Sequence, residues 1–63
     1  MKVTYIEKGE VFDFKRVDRV VTVNVFRCWR VGGLLYGYLD RFNITSIPIE
    51  DILNRDELGA VLE

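Results

Sequence analysis

Arginine and aromatic residues concentrate in the middle of this sequence, and their side chains are well suited to binding another molecule. Aromatic rings can stack on nucleic-acid bases while guanidinium groups bind phosphates, and the same residue types dominate the hot spots of protein interfaces. They can equally complete a hydrophobic core, with an arginine resting on a ring. The candidate partner-binding residues are Arg27, Trp29, Arg30, Tyr36, Tyr38 and Arg41.

Residues that could catalyse a reaction are scarce. The sequence has no His, the side chain that most readily exchanges protons near neutral pH, and Cys28 therefore has no imidazole to activate its thiol. One Cys without His also disfavours a zinc site. Gly32-Gly33 lacks the flanking glycines and lysine of a phosphate-binding loop. We therefore expect no enzymatic activity, no metal and no cofactor.

The composition predicts one small domain over residues 1–63. Hydrophobic residues make up 49% of the chain, which disfavours disorder. No run approaches the roughly 20 apolar residues that cross a bilayer, and residues 1–7 alternate rather than form the apolar stretch of a signal peptide. A single cysteine fits a reducing compartment. We expect a cytoplasmic protein with no membrane contact.

Charge is unevenly distributed along the chain. The net charge is −1, yet residues 15–41 hold six basic and two acidic groups, and residues 42–63 hold one basic and five acidic groups. Opposite charges of this kind can attract each other within one molecule or steer a partner. The negative balance disfavours nucleic-acid binding, which draws on many neutralised phosphates.

The elements that must position the arginine and aromatic residues are predicted to be strands. β-Branched and aromatic residues alternate with polar ones over residues 2–47. Turns are predicted at Lys8-Gly9, around residues 17–18 and at Gly32-Gly33, where two glycines can adopt the positive φ angles of a two-residue hairpin. The fold class is α+β and mostly β, a four-stranded antiparallel meander with a short C-terminal helix.

The three turns fix a register for every strand. They predict the opposed pairs Tyr5/Phe12, Val3/Phe14, Phe14/Val21, Phe12/Val23, Trp29/Tyr36, Arg27/Tyr38, Val23/Phe42 and Val21/Ile44. All these pairings point the same residues to one face, and a slip of one residue would turn the set outward. The predicted core face is Val3, Tyr5, Phe12, Phe14, Val21, Val23, Val25, Phe42 and Ile44, continued by Trp29, Tyr36 and Tyr38.

The opposite face of the long hairpin is also partly apolar. There Phe26 is predicted opposite Leu39, Cys28 opposite Gly37, and Leu35 opposite Arg30. The C-terminal segment, a rolled sheet or a second copy of the chain must cover this face, and association is a common source of burial in small proteins. We expect a homodimer. The candidate self-association residues are Phe26, Leu35, Leu39, Leu58, Val61 and Leu62.

Residues 48–62 are predicted to be helical, with three alternatives left open. Pro48 can begin a helix, but Leu58 lies on the other side of the helical wheel from Ile52, so one straight helix would be apolar on both sides and its last apolar group would meet another molecule. The helix can instead break near residues 54–56, with Asp56 as cap. In the third alternative, residues 44–49 form a strand, residues 50–52 form one helical turn, and a short closing strand follows. This order resembles the end of an SH3-like barrel.

These observations favour a binding protein over an enzyme. The first hypothesis is a non-catalytic interaction module, an accessory or regulatory subunit in the cytoplasm, whose partner is another protein or a second copy of itself. The alternative is a small β-type nucleic-acid-binding protein that uses the same arginine and aromatic residues.

Overall fold

The computed structural model describes residues 1–62 and confirms a mostly β fold with a short C-terminal helix. Two short 3-10 segments flank that helix. In the described part of the chain the elements are β1 (Lys2–Glu7), β2 (Val11–Phe12), β3 (Lys15–Arg16), β4 (Arg19–Asn24), β5 (Phe26–Val31), β6 (Leu34–Tyr38), β7 (Ile44–Pro48), the first 3-10 turn (Ile49–Asp51), α1 (Arg55–Leu58) and the second 3-10 turn (Gly59–Leu62).

The strands of the first third pair differently from the expectation. β1 pairs antiparallel with β4, so that Val3 lies opposite Val23 and Tyr5 opposite Val21. β2 and β3 form a separate small hairpin. The predicted pairing of β1 with residues 12–14, and of those residues with β4, is therefore wrong.

The reason lies in where the chain turns. The hairpin between β2 and β3 turns at Asp13 and Phe14, whose φ angles are +53° and +63°, values that non-glycine residues adopt infrequently. Gly9 instead lies against the carbonyl of Val17 at the base of this hairpin, and a Cβ built on it would collide with that oxygen. Glycine at position 9 thus permits a close approach of two chain segments, where the sequence indicated a two-residue turn.

β5, β6 and β7 form a three-stranded antiparallel sheet. The Gly32-Gly33 turn is confirmed, and it sets Trp29 opposite Tyr36 as predicted. The register then shifts at a bulge between Phe26 and Trp29, so that Phe26 lies opposite Tyr38. The predicted pair Arg27/Tyr38 is wrong because Arg27 occupies the bulge, with φ of +54°.

Both strands of the predicted long hairpin are interrupted. Val25 separates β4 from β5, and residues 39–43 form a loop between β6 and β7. The Asp40 carboxylate closes that loop by accepting hydrogen bonds from the backbone N–H groups of Phe42 (2.8 Å) and Asn43 (3.0 Å). The predicted cross-strand pairs Val23/Phe42 and Val21/Ile44 therefore do not form.

In the β5–β6–β7 sheet the core lies on the face that was predicted to need external cover, whereas Val3 and Val25 are buried as predicted. The buried members of the core are Val3, Val25, Leu35, Ile47, Ile52 and Leu58. Phe12, Phe14 and Phe42 were predicted to be core residues, but they are 79%, 98% and 89% exposed. The single apolar face from Val3 to Ile44 is therefore wrong, since hairpin and loop carry these three rings into solvent.

The C-terminal segment follows parts of two alternatives. β7 is followed by one 3-10 turn and an isolated antiparallel bridge between Ile52 and Tyr5, in the order predicted by the third alternative. The helix breaks at Asn54, which is the N-cap of α1, so the predicted cap at Asp56 and a single straight helix are both wrong. The described sheets are small and do not close into a barrel.

Asn54 ties the C-terminal segment to β1. Its Oδ1 accepts a hydrogen bond from the backbone N–H of Thr4 (2.9 Å), and its Nδ2 donates to the carbonyl of Lys2 (2.9 Å). The backbone N–H of Leu53 also donates to the carbonyl of Thr4 (2.7 Å). These bonds hold Leu58 over the core, where it is 3% exposed.

Candidate functional site

Four aromatic rings lie in contact on one face of the β5–β6–β7 sheet. The Phe26 and Tyr38 rings are stacked at 5.9 Å between centroids, and the Trp29 and Tyr36 rings at 5.7 Å. A tilted contact of 5.6 Å between Trp29 and Tyr38 joins the two pairs. We call this set of Phe26, Trp29, Tyr36 and Tyr38 the aromatic face.

The aromatic face lies on the side of the sheet away from the core. Along β6, Leu35 and Gly37 are buried while Tyr36 and Tyr38 between them are half-buried, as expected where side chains alternate between faces. Trp29 is 37% exposed and Phe26 is 48% exposed. The rings are thus accessible rather than enclosed, which favours a binding surface over a plain core.

The bulge in β5 determines which residues join this face. In a regular hairpin Arg27 would lie opposite Tyr38, and Phe26 would point to the other side. The extra residue at the bulge changes the alternation, so Phe26 lies against Tyr38 instead. Phe26 was predicted to take part in self-association, and no pattern in the sequence marks the bulge.

Arg27 and Arg41 flank one end of the aromatic face. Together with Phe26 and Tyr38 they line an open groove of about 530 Å³, which we call the arginine groove. Within residues 1–62 the ion pairs involve Lys8, Arg16 and Arg19, so neither groove arginine has a carboxylate partner there. The groove therefore presents positive charge beside aromatic rings.

Asp40, next to Arg41 in sequence, does not neutralise the arginine groove through an ion pair. Its carboxylate accepts hydrogen bonds from the Asn43 side chain and from the backbone of Phe42 and Asn43. The Asn43 side-chain bond and the backbone bonds lower the pKa of Asp40 below its ordinary value. This carboxylate shapes the loop that carries Arg41.

Arg30 does not belong to this arrangement. Its Nε donates to the carbonyl of Gly32 (2.8 Å), and its Nη1 donates to the carbonyl of Leu62. Its guanidinium therefore holds the C-terminal segment against β5. The structure thus brings together five of the six predicted partner-binding residues, Arg27, Trp29, Tyr36, Tyr38 and Arg41, and separates Arg30 from them.

The predicted self-association residues do not form one surface. Leu35 and Leu58 are buried in the core, and Val61 and Leu62 pack against it. Of the predicted alternatives, cover by the chain's own C-terminal segment is therefore the one observed for Leu35. Phe26 belongs to the aromatic face, and Leu39 is 42% exposed.

Cys28 packs against the core and shows no reactive environment. Its Sγ lies 3.7 Å from the Met1 Sδ. Burial raises the pKa of the thiol, and the positive N-terminus offsets this in part. Because the thiolate is the reactive form, the neutral thiol of Cys28 packs as a small apolar side chain.

Residues 1–62 contain no helix that is long and apolar enough to span a bilayer. The same residues contain no group of three or more potential metal-binding side chains. No protein-family model, curated protein or solved structure matches the chain.

Proposed function

We propose that the protein is a non-catalytic binding module, an accessory or regulatory subunit, that holds another protein on its aromatic face. The observation that carries this proposal is the stack of four partly exposed rings on the side of the sheet away from the core. Tryptophan and tyrosine in such positions are typical of interface hot spots, where removal of one ring costs about 2 kcal/mol or more of binding free energy.

The core supports the proposal because it does not contain these rings. The buried cluster consists of aliphatic residues from β1, β6, β7, the junction between β4 and β5, and the C-terminal segment. Two opposed pairs of large rings outside it leave apolar area in water that a partner would bury, and contiguous exposed apolar patches mark interaction sites. The Trp29 ring at the centre contacts both tyrosines.

Nucleic-acid binding is the second candidate function. The observation in its favour is the pair of arginines without carboxylate partners in the described chain, next to rings. Against it, the four rings already contact one another in three pairs, and a base needs a free ring face on which to stack. The net charge of −1 also opposes binding to a phosphate backbone.

The fold and cellular setting are proposals of the same kind. The order of β7, one 3-10 turn and the Tyr5/Ile52 bridge supports a partly open SH3-like barrel. The single thiol supports a cytoplasmic location. Self-association remains a proposal through Phe26 and Leu39, and a solution mass of 7.4 kDa at micromolar concentration would contradict it.

A selection from a phage-displayed library of random dodecapeptides tests the binding function. We expect enriched peptides to bind the wild type and to lose binding to Trp29→Ser and Tyr36→Ser. Both side chains lie outside the core, so their replacement leaves the core intact. Val20→Ser, an exposed position on β4, is the matched control and should bind like the wild type. Enriched peptides that bind all three variants equally, or no enrichment at all, would contradict the proposal.

A further inference from the structure

We propose that the arginine groove binds a carboxylate side chain in an extended segment of the partner protein. This inference rests on the proposed function and specifies the chemistry of the partner. Guanidinium groups bind carboxylates through paired charge-assisted hydrogen bonds. The adjacent rings would take an apolar side chain of the same segment.

The positive charge of the groove is available in the described structure. Lys8, Arg16 and Arg19 each lie within ion-pair distance of a carboxylate, and Arg30 donates to two backbone carbonyls. Arg27 and Arg41 have no such partner within residues 1–62, and both are exposed. An acidic group entering the groove would therefore meet two guanidinium groups without first breaking an ion pair there.

Both arginines are carried by ordered backbone. Arg27 occupies the bulge, with φ of +54°, and its neighbour Phe26 is fixed by stacking on Tyr38. Arg41 belongs to the loop that the Asp40 carboxylate closes through its bonds to Phe42 and Asn43. A site whose backbone is held in this way loses less entropy on binding than one on an unrestrained loop.

The spacing of the rings fits an extended peptide. Side chains two residues apart on one face of an extended chain are about 6.6 Å apart, close to the 5.6 Å between the Tyr38 and Trp29 centroids. Tyr38 lines the groove and contacts Trp29, so a carboxylate bound in the groove would bring the next side chain on the same side of the segment toward the aromatic face. Two arginines at one end of the face suit one or two carboxylates better than the continuous charge of a phosphate backbone.

Titration with synthetic peptides tests the inference. The probes are an octapeptide with two aspartates and two leucines separated by serines, its counterpart with asparagine for aspartate, and a ten-nucleotide oligothymidylate. Binding is followed by the fluorescence of Trp29, the single tryptophan of the chain, and by amide NMR shifts. We expect the aspartate peptide to bind about fivefold more tightly than the asparagine peptide, a ratio that exposed ion pairs can supply.

The variants assign that ratio to the groove. Arg27→Gln and Arg41→Gln should each reduce it, and the double variant should abolish it. Arg55→Gln on α1 removes the same charge outside the groove, so it should leave the ratio unchanged. Added salt should reduce the ratio for the wild type, because exposed charges are screened.

The outcomes separate this inference from the proposed function. Equal binding of the two peptides would overturn the carboxylate site and leave the aromatic face as a protein-binding surface. Tighter binding of the oligonucleotide than of either peptide would overturn both in favour of nucleic acid. If no probe binds, the carboxylate inference fails, and the phage selection decides the binding function separately.

Discussion

Gly37 lies on the core face of the observed sheet, whereas the predicted hairpin places it on the opposite face. In the structure it is buried, and a Cβ built on it would lie 3.0 Å from the Val25 Cβ and 3.4 Å from the Cys28 Sγ. In the predicted register Gly37 and Val25 lie on opposite faces of the sheet, so Val25 would not crowd a methyl group added at Gly37. Substitution of Gly37 by Ala therefore tests which face of the sheet is the core.

The magnitude follows from the crowding. Inserting a methyl group into a packed core costs about 1–3 kcal/mol, and replacing glycine by alanine in a strand interior regains about 0.5–1 kcal/mol. We expect Gly37→Ala to lower the free energy of unfolding by about 1–2 kcal/mol, which lowers the Tm by several degrees in a domain of this size. Val25→Ala should relieve part of this cost, because it removes the Val25 Cγ1, 3.3 Å from the added methyl group, although it keeps the Cβ at 3.0 Å.

Urea unfolding followed by Trp29 fluorescence measures these differences. Gly33→Ala is the matched control, since a Cβ at Gly33 meets nothing within 4 Å, and its effect should stay within about 0.5 kcal/mol. The double variant Gly37→Ala/Val25→Ala should show a favourable coupling of at least about 0.5 kcal/mol. Equal stabilities of Gly37→Ala and Gly33→Ala would refute the assignment of this face to the core.

Four further variants test the bulge, the C-terminal tie, the core and the loop. Arg27→Gly should raise the free energy of unfolding by about 1 kcal/mol in urea, because glycine adopts positive φ without strain; a loss of stability would contradict the bulge. Asn54→Ala should lower the Tm through a loss of about 1–3 kcal/mol, since two backbone groups of β1 lose their partner; an unchanged Tm would argue against this tie. Leu58→Ala should cost about 2–5 kcal/mol in urea unfolding, and a neutral effect would mean that α1 does not cover the core. Hydrogen bonds lower the folded pKa of Asp40 below its ordinary 3.8, so its contribution to stability is present above that pH and is lost as the pH falls through the folded pKa. The difference in unfolding free energy between the wild type and Asp40→Asn should therefore shrink on acidification, and a constant difference would contradict this.

The sequence predicts the tight turn and the residues beside it. Two glycines at positions 32 and 33 determine a two-residue connection, and that connection fixes the pair Trp29/Tyr36. The clustering of the aromatic face follows from this register for three of its four rings. Four of the five site residues, Arg27, Trp29, Tyr36 and Tyr38, lie on one face in the predicted alternation. Arg41 lies on the other face in that alternation and reaches the groove through the loop at residues 39–43.

The bulge was not predictable because nothing local encodes it. Arg27 is a charged residue in a left-handed backbone conformation, where glycine or asparagine would have been a signal. The shift goes with Val25, which was predicted on the other face, lying beside Gly37. This is a tertiary gain that single-strand patterns do not show.

The choice of core face was ambiguous for a related reason. Both faces of the long hairpin carry apolar residues, Trp29 and Tyr36 on one and Cys28 and Leu35 on the other. Agreement among the turns determines which residues share a face, but it does not determine which of the two faces is covered. Leu58 of the C-terminal segment decides it by packing in the same buried cluster as Leu35.

Two-dimensional NOE spectroscopy of the free protein tests the central claim most directly, namely that the aromatic face lies outside and Leu35 lies in the core. The account predicts NOEs between the Phe26 and Tyr38 rings, and between the methyl groups of Leu35 and those of its core neighbours Ile47 and Leu58. Contacts from Phe26 to Leu39, together with Leu35 methyl groups that show no NOE to Leu58, would contradict it.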